Sequence, residues 1–203
     1  MTTFPAFFDQ VPGITLRDPL AELLGAIRGG LVHYGYADAV RLAGHSCPTV
    51  ASAYWLGVRA LRTLYGEDLP QRGTVAVDLR GAQHEGTTGV VASVLGLLTG
   101  AASDGGFAGL GGQFVRRGLL RFKVPIEADL RFTRTDTGQS VLAQANVHEV
   151  PGDPQTQRLM QLWLKGKASA EESAEFGRLW QDRVRRILLE HAHDPSVFSI
   201  LAG

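Results

Sequence analysis

The chain has one cysteine and no net charge. With Cys47 alone, an internal disulfide framework is excluded, and so is a self-contained zinc ribbon built on four cysteines. Twenty Lys and Arg residues balance twenty Asp and Glu residues. No basic stripe is present, which removes the electrostatic footprint a nucleic-acid partner requires. Long apolar runs are missing too. The longest uncharged stretch, Gly86 to Ser103, is interrupted by Thr, Ser and Gly, and reads as a buried helix with its exit loop rather than a membrane span. Met1 to Gln10 carries no basic segment ahead of an apolar core, so no secretory leader is expected and the cytoplasm is the default location. Neither an internal repeat nor a low-complexity linker divides the chain. Its 203 residues are expected to form one domain, 1–203.

The chemistry concentrates in Gly44-His45-Ser46-Cys47-Pro48, running into Thr49-Val50-Ala51-Ser52-Ala53-Tyr54. Pro48 suits the first turn of a helix, where a missing N–H costs nothing and the fixed φ is already helical. That makes Cys47 the N-cap, with its sulfur beside unpaired N–H groups and the positive end of the helix dipole, which favours thiolate. Residues i and i+2 of an extended segment point to one side, so His45 and Cys47 can aim at a common point. A thiolate and an imidazole so placed suit zinc or another late transition metal. The plainer alternative is a cysteine that packs as a small hydrophobe and a histidine that hydrogen-bonds in a core.

Taken in order, 1–17 reads as an irregular N-terminal arm anchored by Phe4, Phe7, Phe8 and Ile14. Asp18-Pro19 then caps and starts a helix with Leu20, Leu23, Leu24 and Ile27 at helical spacing, ended by Gly29-Gly30. Ala37 to Ala43 is a short helix stopped by Gly44, and a longer one runs from Pro48 to about Tyr65. Thr74 to Arg80 alternates as a half-buried strand and leads into the loop Gly81–Gly86. Thr87 or Thr88 caps a helix to about Leu98, buried on all sides. The glycine-dense loop Gly100–Gly112 lacks the Lys-Ser/Thr ending of a phosphate loop, and is either a structural loop or an anion cradle. Three strands follow, Leu119–Val124, Ile126–Arg134 and Ser140–Val150, the last two joined by a turn at Thr135–Gly138. Residues 155–203 are helical. Ser169 and Glu172 form a capping box, and Val197, Phe198 and Ile200 dock on an apolar surface.

Gly44-His45-x-Cys47-Pro48 with Ala53-Tyr54 resembles the GHxCPxxxxGY segment of the FmdE-like family, named for a component of formylmethanofuran dehydrogenase. The tail is similar to that family as well: Leu164-Lys165-Gly166-Lys167-Ala168-Ser169-Ala170-Glu171-Glu172, then Phe176, Leu179, Arg185, Ile187-Leu188 and Val197-Phe198. Leu97-Leu98-Thr99-Gly100 resembles its L-T-G turn. The resemblance spans about 44–200. It implies an α+β fold, here a mixed sheet of about four strands packed with helices, and a metal centre, commonly zinc, at His45 and Cys47. Three features depart from the family pattern. The second cysteine and its nearby Asp are absent from Gly89–Ser93, the C-terminal zinc ribbon is absent, and Ala53 replaces a glycine.

His84, at the end of a strand just ahead of a helix, is the candidate replacement ligand, against a solvated loop histidine as its alternative. His45, Cys47 and His84 would leave a fourth position open on zinc or another divalent transition metal. Glu85 is then a further ligand, a base for a metal-bound water, or a surface acid. His148, His191 and His193 receive no role. Three functions stay in view. The first is a metal-binding protein of the FmdE type, catalytic if the open position takes substrate. The second is a metal-free enzyme with Cys47 as nucleophile. The third is a non-catalytic accessory subunit of a redox complex. A homodimer is expected, because the glycine loop and apolar C-terminus leave surface to cover.

Overall fold

A computed structural model describes residues 3–203, so the first two residues of the expected arm lie outside the described residues. The arm is not irregular throughout. Its end, β1 (Ile14–Arg17), pairs antiparallel with β2 (Leu31–Tyr34) in a two-stranded sheet. Between them α1 (Pro19–Leu23) is one short turn capped by Asp18, whose carboxylate accepts from the N–H groups of Leu20 and Ala21. The expected apolar helix stripe is corrected here. Leu23 and Leu24 lie 60% and 64% exposed, because the helix stops after five residues and Gly25 takes a positive φ.

Next come α2 (Tyr36–Ala43) and α3 (Pro48–Tyr65), separated by Gly44 in the left-handed conformation. α3 is the central helix, with an unbroken buried run from Val50 to Val58. Three side chains tie it to distant parts of the chain. Trp55 Nε1–H donates to the Ala192 carbonyl at 2.6 Å, Tyr54 O–H to the Pro12 carbonyl at 3.0 Å, and Arg59 to the Phe198 carbonyl at 3.3 Å. Removing each of these donors would leave a carbonyl with one partner fewer.

The main sheet has five strands rather than about four, ordered β4 (Leu120–Arg121), β3 (Val75–Leu79), β5 (Leu130–Arg134), β6 (Ser140–Ala145), β7 (Phe198–Ala202). It is mixed. β3 and β4 run parallel, and the other three pairings are antiparallel. The extra strand comes from the C-terminal residues, where Phe198 to Ala202 pair along β6 instead of docking as an irregular tail. The middle strands are shorter than their alternation implies. Ile126 to Asp129 has no ladder partner, since β3 ends at Leu79, opposite Leu130. β3 itself is buried along its whole length, including Asp78, and is not half-buried.

α4 (Thr88–Thr99) crosses α3 closely at Gly57, where a Cβ would sit 2.6 Å from a Leu98 methyl. α5 (Gln155–Leu164) and α6 (Ala170–Arg185) close the chain's helical part, the latter with the expected Ser169–Glu172 capping box. Among the described residues no helix is long and apolar enough to cross a membrane.

Candidate functional site

The corner between α2 and α3 forms as its residues dictate. Cys47 is the N-cap with extended backbone, Pro48 opens the helix, and the Val50 N–H donates to Cys47 Sγ at 3.5 Å. Cys47 is half-buried, whereas His45 is exposed, with Nδ1 2.9 Å from the Ala43 carbonyl. The residue between them anchors the corner. Ser46 Oγ lies 2.9 Å from the Tyr36 hydroxyl and donates to Gln181 Oε1 at 2.9 Å, and its carbonyl accepts from Trp180 Nε1–H and Gln181 Nε2–H. Burial pushes the Tyr36 phenol well above its ordinary range, and the Ser46 bond offsets this only in part. The corner is therefore clamped by α6, in a contact between residues 135 apart that local sequence patterns do not register.

A cavity of ≈ 440 Å³ opens beside this corner, beyond the C-terminal end of β3. Thr49 and Ser52 reach it from the first turns of α3, and Thr87 and Thr88 from the start of α4. Two helix N-termini therefore face one space, each carrying partial positive charge and N–H groups beyond the reach of intrahelical acceptors. The Thr49 N–H has no acceptor among the described residues. Glu85 fronts the same cavity, its Oε2 accepting the Ala82 N–H at 3.0 Å. Arg80 and Asp129, joined as an ion pair, sit on the rim. The floor is apolar, formed by Ala53, Leu56, Leu79 and Leu130.

Of the four residues singled out from sequence, Glu85 lines the cavity, while His45, Cys47 and His84 do not. His84 is exposed in the turn between β3 and α4. Among the described residues no three His, Cys, Asp or Glu side chains come together as a metal-ligand set. Among the described residues, His45 and Cys47 by themselves are fewer than the three or four protein ligands that zinc takes. Arg80, Asp129 and the hydroxyl residues were missed. Thr49, Ser52, Thr87 and Thr88 carried a signal, since each lies within a turn of a helix start.

No family model matches the chain, and no curated protein matches it. Among solved structures it is similar to a tungsten formylmethanofuran dehydrogenase FmdE-like protein from Syntrophus aciditrophicus. Identity is 15% over 84% of this chain and 72% of that chain, with a TM-score of 0.45. The likeness is remote, and assigns no residue a role.

Proposed function

We propose that this chain binds a small carbonyl-bearing molecule in the cavity at the mouths of α3 and α4, and that Glu85 moves a proton on it. The supporting observation is that two helix N-termini, four hydroxyl side chains and the Glu85 carboxylate front a single cavity, whose other carboxylate, Asp129, is paired with Arg80. The helix ends and hydroxyls favour an oxygen on which negative charge develops. The Ala82 N–H holds one oxygen of Glu85 and leaves the other as proton acceptor. Together they suit proton abstraction at the carbon next to a carbonyl. The proton passes to Glu85, the electron pair moves to the carbonyl oxygen, and reprotonation regenerates both. The apolar floor accepts a short hydrocarbon body.

A ligand-observed NMR screen of small ketones, aldehydes and amides in deuterated water tests this. Hits are expected to exchange protons next to the carbonyl faster with protein than without. Glu85→Gln should keep binding and lose the exchange, and Thr87→Trp, at the exposed rim, should lose binding. Hits that bind equally well to Thr87→Trp, or exchange at the same rate with Glu85→Gln, would refute the reading.

A second reading, zinc or another divalent transition metal at His45 and Cys47, is favoured by one feature of His45. With Nδ1 on a backbone carbonyl, Nε2 is the free ring nitrogen, the arrangement usual for a metal-bound histidine. His84 or a partner would have to supply further ligands. Elemental analysis of natively purified protein beside Cys47→Ser decides it, with near-stoichiometric metal lost in the variant as the supporting result. Metal-free protein whose Cys47 alkylates rapidly near neutral pH would favour the thiolate enzyme instead. Co-purification of a redox protein would favour the accessory-subunit role, and sedimentation tests the homodimer.

A further inference from the structure

The other end of α4, about 18 Å along the helix axis, borders a second cavity, of ≈ 400 Å³. It shares no residue with the first. Three charged side chains line it, and their charges do not cancel. Asp18 Oδ2 accepts from Arg72 Nη1 at 2.6 Å, and Asp18 Oδ1 from Arg116 Nη2 at 2.7 Å, so one carboxylate serves two guanidiniums. Neither arginine has another acidic partner among the described residues. Arg72 also donates from Nε and Nη2 to the Leu97 carbonyl at the end of α4, and keeps an N–H on each of Nη1 and Nη2 without an acceptor among the described residues.

Arg116 is the more deeply buried of the two. It is 8% exposed, and its Nε is sealed from water with no acceptor among the described residues. That nitrogen lies against Gly73, which does not line the cavity, so what the cavity offers an anion is the charge of two guanidiniums that share one carboxylate. Two glycines are fitted to this side chain. A Cβ on Gly100, which has a positive φ, would collide with Arg116 Nη1, and one on Gly73 would lie 2.9 Å from Nε. Gly100 opens the glycine-dense loop. That loop folds back so that the Phe107 carbonyl accepts the Arg116 N–H at 2.9 Å and the Phe107 ring joins the cavity wall beside Leu20 and Leu24.

We propose that this second cavity binds a small monocarboxylate with a short hydrocarbon chain, its carboxylate on Arg116 and Arg72 and its chain along Leu20, Leu24 and Phe107. A single negative charge brings the two guanidiniums and Asp18 to neutrality. Inorganic phosphate has no chain to lay along the apolar wall. The apolar wall gives a chain something to bury, so affinity rises with its length. The proposal is independent of the reading given to the first cavity.

Isothermal titration of the full chain with acetate, butyrate and hexanoate tests it at fixed ionic strength, with butanol and inorganic phosphate for comparison. Saturable binding of the carboxylates is expected, tightening about tenfold from butyrate to hexanoate. Arg116→Gln should weaken hexanoate binding by about tenfold or more. Because that variant alters a buried group, Leu24→Glu serves beside it. Leu24 is exposed at the rim, so the fold persists, while the added carboxylate repels the ligand. Leu24→Glu should therefore weaken hexanoate and leave the circular-dichroism melt unchanged. The proposal is overturned if the unaltered chain shows no saturable carboxylate binding, or if phosphate or butanol binds as tightly as the matching carboxylate. Equal hexanoate affinity in Leu24→Glu would overturn it as well.

Discussion

Asp18 is the one acceptor shared by a helix start and two largely buried arginines among the described residues. Its carboxylate accepts four hydrogen bonds, two from the α1 N–H groups of Leu20 and Ala21 and two from the guanidiniums of Arg72 and Arg116. Asp18→Ala removes the cap, at about 1 kcal/mol, and the shared counter-ion of two largely buried cations, for a total of about 3–5 kcal/mol. Asp18→Asn keeps an oxygen for the cap but not the charge, and should lose about 2–4 kcal/mol. The pH dependence has a definite sign. Burial alone would raise this carboxyl's pKa, but the bonds from Arg116, the Ala21 N–H and Arg72 outweigh it and hold the pKa below its usual value. A depressed folded pKa stabilises above the unfolded value, and that stability disappears as pH falls through the folded one. The deficit of Asp18→Ala relative to the unaltered chain should therefore stay constant from neutral pH to about 4, then narrow below it. Urea unfolding followed by circular dichroism measures this. A loss below about 1 kcal/mol would refute the claim that the two arginines depend on this carboxylate, and so would a deficit that shrinks well above pH 4.

Asp78 is fully buried on β3 and holds Arg121 Nε at 2.6 Å and Arg131 Nη2 at 2.7 Å. Those arginines are partly exposed and can turn to water, so Asp78→Ala should cost less than Asp18→Ala, about 2–3 kcal/mol by urea unfolding. Gly100→Ala combines a positive φ with a collision against Arg116, and should destabilise by about 2 kcal/mol, read as a lowered thermal midpoint. Trp55→Phe keeps the ring but loses the 2.6 Å bond to the Ala192 carbonyl, at about 1–2 kcal/mol in the same measurement.

Local chemistry was legible from the residues, and long-range closure was not. Cys47-Pro48, Asp18-Pro19 and Ser169-x-x-Glu172 each mark a helix start through a capping atom and a following φ, and all three helices begin where those residues set them. Gly44 stops α2 for the same local reason. What alternation could not give is a partner. Ile126 to Asp129 alternates as well as any strand, yet lies outside the ladder, which ends at Leu79 opposite Leu130, and only the Asp129 carbonyl keeps a backbone bond toward that side, from the Arg80 N–H at 3.0 Å. Conversely β7 looked like a docking tail, because nothing within Phe198–Ala202 indicates that β6 has a free edge. The candidate site divides the same way. Glu85 and the hydroxyls at two helix starts were within reach of sequence reasoning. The cavity depends on α3 and α4 arriving side by side, which rests on Gly57 against Leu98. His45 and Cys47 attracted attention as reactive types, whereas the residue between them holds the corner through Tyr36, Trp180 and Gln181.

A zero net charge conceals the most informative electrostatics. Asp18 lies between Arg72 and Arg116, and Asp78 between Arg121 and Arg131, so each buried carboxylate meets two guanidiniums. The two clusters differ in where their excess charge goes. Around Asp78 the arginine side chains are 51% and 36% exposed, and water screens the surplus. Around Asp18 they are 17% and 10% exposed, one nitrogen is sealed without an acceptor, and the cluster opens on a cavity with an apolar wall. The same count of charges is thus an ordinary sheet-surface network in one place and a largely buried surplus of positive charge beside a cavity in the other. Burial, not composition, makes the difference.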